Sequence, residues 1–232
     1  MIIKILKWIG KFIGIGFVTL AVTLFLLSLF VSNSIDNIDI LQDDLVGLVS
    51  TDGLADQLGI SEEELLLLEQ GCEINPGEEA CQYLDDPSLL ISENTQFTSM
   101  IEDIKGYGDY ASNLKSGSII LFILGAVLII LSLNLNILKG ISTVSLTGGI
   151  ASLLALFYYK YIPQILDKFV IQGLLSATLK DLPQKMTDNA LEILFNWLDL
   201  VIRTVTSTAL TLTIIFAVIV LVVFIVRRKL KG

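Results

Sequence analysis

The sequence predicts an all-α membrane protein whose four transmembrane helices extend into an extracytoplasmic helical bundle, with one disulfide-stapled loop. The first observation is composition, because 53% of the 232 residues are hydrophobic and 17% are charged, against about 25% charged in soluble domains. The second is a set of four charge-free apolar runs, each long enough for the roughly 20 helical residues that cross a bilayer. The third is the helical periodicity of the segments between them. The runs are Phe12–Val31, Ser116–Leu138, Gly140–Tyr159 and Thr204–Val226.

Residues 1–31 are predicted to form a cytoplasmic N-terminal end and the first transmembrane helix. Lys4, Lys7 and Lys11 come before the apolar run, as basic residues also do in a cleaved signal peptide. The run is longer than the about 7–15 apolar residues of a signal peptide, and the "LFVSNS" that ends it has no A-x-A cleavage pattern. We therefore expect a retained anchor.

Residues 32–115 are predicted to form an acidic helical ectodomain. This segment contains 19 acidic residues and two lysines, a net charge of −17. Ile38 and Leu41 lie at helical spacing, which predicts that the first span continues outward as an amphipathic helix. A second amphipathic stretch, interrupted by Gly106 and Gly108, leads into the second span.

The two cysteines, Cys72 and Cys81, lie in this acidic segment and admit three interpretations. A zinc site would need carboxylates such as Glu73, Glu78 or Glu79 as further ligands, because the chain has no histidine. A redox pair would have the C-x-x-C spacing, which is absent here. A disulfide is favoured, because the segment is expected on the oxidising side of the membrane.

The acidic residues near the cysteines are predicted to form a partner or cation surface. Their ordinary role would be a solvated acidic surface, and weak binding of divalent cations is the alternative. The EF-hand pattern is absent, so we expect no resident metal and no cofactor. The residues of this surface are Glu73, Glu78, Glu79, Asp85 and Asp86.

Residues 116–138 and 141–160 are predicted to be the second and third transmembrane helices, joined by a cytoplasmic turn at 139–140. The four apolar runs contain no Asp, Glu, Lys or Arg, which argues against a proton-coupled transporter or pump. Small residues in the third span allow a neighbouring helix to approach closely. These helix-packing residues are Ser145, Gly148, Gly149 and Ser152.

Residues 161–203 are predicted to form an amphipathic helical hairpin outside the membrane, broken at Pro183. Asn189 and Glu192 fit a capping box at the start of its second helix. That helix is expected to run unbroken into the fourth transmembrane helix, residues 204–226. One face of it carries a polar stripe, formed by Asp188, Glu192, Asn196, Asp199 and Arg203.

Residues 227–232 form a basic tail that sets the predicted orientation. Arg227 and Arg228 follow the last span, as the three lysines precede the first, and basic residues flanking membrane spans stay on the cytoplasmic side. Four spans place both ends on one side. We therefore expect a multi-pass protein of the cell membrane, with both termini cytoplasmic and the ectodomain extracytoplasmic.

This topology is similar to that of claudins and connexins, which also have four spans, cytoplasmic ends and a larger first outer loop with disulfides. The likeness covers topology alone, since residues 32–115 contain no tryptophan and so lack the claudin signature of that loop. Tetraspanins share a helical, disulfide-bearing outer domain but carry it between spans three and four. Topology of this kind does not by itself imply a function.

The sequence favours a non-enzymatic protein that presents its acidic helical ectodomain for self-assembly or partner binding, in a structural or scaffold role. Without histidine there is no Ser-His-Asp or Cys-His arrangement, and the acidity argues against nucleic-acid binding. The alternative is a homo-oligomeric channel or pore with an acidic outer mouth, which the Ser/Thr-rich fourth span would line. Expected partners are the lipid bilayer and either further copies of the chain or another membrane protein.

Overall fold

The protein is seen here in a computed structural model that describes residues 2–48, 67, 70–72, 81, 102–166 and 184–230. Nearly all of these residues are helical, and none of them lies in a strand. A short helical stretch at 102–106 and a turn at Tyr107 precede the third long helix. The long helices of the described part are α1 (Ile2–Asp36), α2 (Ile38–Leu48), α3 (Gly108–Ser132), α4 (Ile137–Leu166) and α5 (Gln184–Lys229).

Among the described residues, four helices are long and apolar enough to cross a membrane, which indicates a multi-pass membrane protein. Their mean hydropathies over the most apolar stretch are 2.4, 2.4, 1.7 and 3.2 in chain order. For the described residues, the predicted all-helical class is confirmed, with four helices able to span a membrane and one disulfide. The helices with these stretches cover Ile3–Asp36, Glu102–Ser132, Ile137–Ile162 and Leu191–Lys229.

The turn between α3 and α4 lies at residues 133–136, a few residues before the position expected at 139–140. Asn134 and Leu135 adopt left-handed backbone angles, with φ of 60° and 58°. The side chain of Asn136 then accepts a hydrogen bond from the Lys139 amide at 3.1 Å, which caps the start of α4. Hydropathy alone placed the turn too late, because the turn itself contains leucines.

Helix α5 begins at Gln184, directly after Pro183, rather than at the expected capping box. Asn189 therefore lies inside the helix, and the predicted capping role for Asn189 and Glu192 is wrong. The expected unbroken run is confirmed, since the helix has 46 residues and ends at Lys229. At 1.5 Å per residue it is about 69 Å long, well over the thickness of a bilayer's hydrocarbon core.

The chain divides into two compact units, of which unit 1 comprises Met1–Asn33, Gly108–Ile162 and Val201–Gly232. Its core is the cluster of Val18 from α1, Ile129 from α3 and Val144 from α4. On α1 the buried positions follow helical spacing, so one face of that helix packs inward. Those buried α1 residues are Val18, Ala21, Val22 and Leu26.

Unit 2 comprises Ser34–Tyr107 and Pro163–Leu200. In its described part, Ile38 and Leu41 are buried, and Ile104, Ile193 and Trp197 pack against them. Three separate chain segments thus meet around one apolar cluster: α2, the stretch 102–107 and the first part of α5. The residues of 167–183, which include most of the first helix of the predicted hairpin, lie outside the described part.

Candidate functional site

Cys72 and Cys81 are joined in a disulfide, with their Cα atoms 5.3 Å apart. A disulfide sulfur is not the thiolate that a zinc site needs, so the bond favours the structural interpretation of this pair. Nine positions separate the two cysteines in sequence, and closing a loop of this size contributes about 2.5–3 kcal/mol in the chain-entropy model.

The predicted acidic partner or cation surface lies outside the described residues, so its arrangement stays a prediction. Around the disulfide the structure describes Gln70, Gly71 and Cys72 on one side and Cys81 on the other. In the described part of the chain, no group of three or more His, Cys, Asp or Glu side chains is arranged to hold a metal ion. The five residues of that surface are Glu73, Glu78, Glu79, Asp85 and Asp86.

Three of the four predicted helix-packing residues of α4 lie against α5. A Cβ atom built on Gly148 would be 2.7 Å from the Phe216 ring, and one built on Gly149 would be 3.4 Å from the Phe216 Cβ. Ser152 is fully buried, and its hydroxyl is 2.9 Å from that of Thr213. Ser145 is buried as well. Small side chains at these positions let the aromatic ring of α5 lie against the α4 backbone.

The backbones of α1 and α3 approach each other directly at two glycines. A Cβ on Gly14 would lie 2.8 Å from the carbonyl oxygen of Gly125, and a Cβ on Gly125 would lie 2.8 Å from that of Gly14. Real Cβ atoms are essentially never this close to another heavy atom. Gly10 makes a further close contact between the same two helices, because a Cβ on Gly10 would lie 2.7 Å from the Ser132 hydroxyl oxygen. Larger residues at Gly14 or Gly125 would force the backbones apart.

The N-terminal end of α1 and the turn after α3 meet at the basic end of unit 1. The Lys7 ammonium donates a hydrogen bond to the side-chain oxygen of Asn134. Trp8 and Phe12 stack on each other with ring centroids 5.8 Å apart, and both are largely exposed. Exposed aromatic rings beside lysines are typical of the boundary between lipid and water.

Several threonine hydroxyls of α5 donate hydrogen bonds to carbonyls of their own helix. Thr208 donates to the carbonyl of Thr204 at 3.0 Å, and Thr211 to that of Ser207 at 2.9 Å. Thr213 does the same toward Ala209 at 2.8 Å. The hydroxyl protons of these three threonines are therefore bonded within the helix.

Three contact residues were missed by the sequence-based predictions. Gly125 is a lone glycine in the apolar body of α3, a signal that could have marked it as a close-approach position. Phe216 and Trp197 carried no such signal, because the sequence does not show what an aromatic residue on an apolar helix will contact. Trp197 donates its indole N–H to the Asn37 carbonyl at 2.9 Å, and that contact depends on which helices meet.

The arrangement of the described residues is one of packing contacts: small residues between helices, a buried hydroxyl pair and a disulfide. No protein-family model matches the chain, and comparison with curated proteins and solved structures finds no similar one.

Proposed function

We propose that this multi-pass membrane protein presents an acidic helical ectodomain for self-assembly or for binding a membrane-protein partner, in a structural or scaffold role. The observation that carries the proposal is the apolar cluster of unit 2. There, segments continuous with three of the four apolar helices pack around Ile38 and Leu41. Such a cluster would give the part of the chain proposed to lie outside the bilayer a hydrophobic core of its own.

The proposed orientation has both termini in the cytoplasm and unit 2 outside. Lys4, Lys7 and Lys11 at one end and Arg227 and Arg228 at the other support it through the positive-inside rule. The Cys72–Cys81 disulfide supports it independently, because disulfides persist in extracellular or periplasmic compartments and are rare in the cytosol.

The proposed ectodomain would act through its charge. Residues 32–115 have a net charge of −17, and a surface of one sign steers oppositely charged partners toward it. The acidic residues beside the disulfide would be held in a fixed loop, which lowers the entropy lost on binding. Basic protein surfaces or divalent cations are the chemistry that such a loop would take.

The channel alternative has less support. A pore needs polar groups that replace water around an ion. Hydroxyls of α5 that donate within their helix, as Thr211 does to Ser207, would offer such a lining only their remaining oxygen lone pairs. Conductance across planar bilayers holding the purified chain, over varied voltage and calcium concentration, would revive it.

The scaffold proposal is tested by cross-linking the full chain in intact membranes and by native mass spectrometry after extraction into nanodiscs. We expect a multiple of the chain mass or a complex with another membrane protein. Neutralising the loop with Glu78→Gln and Glu79→Gln should weaken the complex if the acidic loop is the contact. A chain that is monomeric and without a protein partner in both measurements would refute the proposal.

A further inference from the structure

An apolar groove of about 230 Å³ lies between α1, α3 and α5 within unit 1. Ala21 and Phe25 line it from α1, Ile119 and Ile123 from α3, and Phe216 from α5. The one hydroxyl among its lining residues, that of Ser118, donates to the Lys115 carbonyl at 2.6 Å. The groove therefore offers its occupant an almost purely hydrocarbon surface.

The groove opens toward the surrounding membrane and is large enough for part of a lipid chain. Ile119 and Ile123 are 51% and 55% exposed, so the α3 wall reaches the outer face of the bundle. For comparison, an engineered apolar protein cavity of about 150 Å³ binds benzene. Because the lining residues belong to helices that cross the membrane, the hydrocarbon chains of lipids are the nearest apolar molecules.

Lys115 lies on α3 about one helical turn beyond the residues that line the groove. Lys115 precedes Ile119 by four residues, so the two share a face of α3 about 6 Å apart along its axis. Lys115 comes directly before the charge-free run of the second span and is exposed. Among the described acidic residues, none forms an ion pair with it. Its position at the start of the apolar run puts its ammonium at the depth where lipid headgroups lie.

We propose that this groove is a binding site for an anionic phospholipid, with an acyl chain between α1, α3 and α5 and the headgroup phosphate paired with Lys115. The apolar walls select a hydrocarbon chain, and the lysine selects the anionic headgroup over a zwitterionic one. This site is separate from the scaffold role proposed above and does not depend on it.

Native mass spectrometry of the full chain, ejected from nanodiscs of equal phosphatidylglycerol and phosphatidylcholine, tests the proposal. We expect the wild type to retain one phosphatidylglycerol. Ile119→Trp should abolish retention by filling the groove, whereas Ile120→Trp should retain the lipid. Ile120 is the matched control, since it is the next residue of α3, has the same side chain and is 59% exposed, but does not line the groove.

The headgroup contact is tested by charge removal. Lys115→Gln should lower the preference for phosphatidylglycerol on the order of fivefold, whereas Lys160→Gln, an exposed lysine on α4, should leave it unchanged. Retention that is equal in Ile119→Trp and the wild type, or lost equally in Ile119→Trp and Ile120→Trp, would overturn the groove assignment. A dimer broken by Ile119→Trp would mean that a second copy occupies the groove, and would overturn it too.

Discussion

The two units of this chain are packed by different residues. In unit 1 close helix contacts run through Gly14 and Gly125 and through Gly148. In unit 2 the described contacts run through Ile38, Leu41 and Trp197. Lipid tails are as apolar as leucine, so membrane helices gain by close backbone approach, whereas helices in water gain by burying large apolar side chains. The proposed placement of unit 1 in the bilayer and of unit 2 outside it would account for this difference.

The largest effect is expected where the backbones of unit 1 approach most closely. Gly14→Ala should lower the free energy of unfolding by about 2 kcal/mol, because its Cβ would meet a carbonyl oxygen that only a backbone shift can move. Gly16→Ala, on the same helix with open space around the added Cβ, should leave stability unchanged or raise it by up to about 1 kcal/mol. Unfolding titrations with SDS in mixed micelles measure both. Equal effects would remove the case for glycine-mediated packing.

The second-largest effect is expected at the Trp197 contact of unit 2. Trp197→Phe keeps most of the apolar contact but removes the hydrogen bond to the Asn37 carbonyl. The loss of this bond should lower the stability of unit 2 by about 1 kcal/mol. Hydrogen exchange of the α2 amides should then become about fivefold faster. The same change at Trp8, which is 67% exposed, should leave those amides as they are. Unchanged exchange in Trp197→Phe would mean that the indole does not hold α2.

The buried hydroxyl pair of α4 and α5 should contribute less. A double-mutant cycle of Ser152→Ala and Thr213→Val measures the coupling across the 2.9 Å contact. We expect about 0.6 kcal/mol, the usual size of such bonds between membrane helices. Strictly additive effects of the two substitutions would show that each hydroxyl is satisfied by its own helix alone, Ser152 by Gly149 and Thr213 by Ala209.

The smallest effect is expected at the ion pair of unit 2. The Lys105 ammonium lies 2.9 Å from the Asp39 carboxylate, and both side chains are substantially exposed. A cycle of Asp39→Asn and Lys105→Gln, followed by hydrogen exchange of α2, should give less than about 0.5 kcal/mol. The coupling should vanish in 1 M salt, where the screening length is about 3 Å. A larger coupling that survives high salt would place this pair among the main contacts of unit 2.

The sequence predicted the helices, the four spans and the disulfide, because hydropathy and cysteine chemistry are local properties of a segment. It did not predict which helices meet. Gly125 faces Gly14, and Trp197 faces Asn37, only because of how distant segments are placed, and no local pattern records that. The α3–α4 turn was misplaced for a related reason, since Leu135 adopts a left-handed conformation that glycine or asparagine usually signals.

The most direct test of the proposed arrangement is labelling with a membrane-impermeant maleimide in intact cells. The native cysteines are bonded to each other, so a single added thiol reports its own side of the membrane. Asn196→Cys, at an exposed position of unit 2, should be labelled in intact cells, or in spheroplasts if the compartment is periplasmic. Arg228→Cys, exposed near the end of α5, should be labelled only after lysis. Labelling of Arg228→Cys in intact cells, with Asn196→Cys protected until lysis, would contradict the proposed ectodomain.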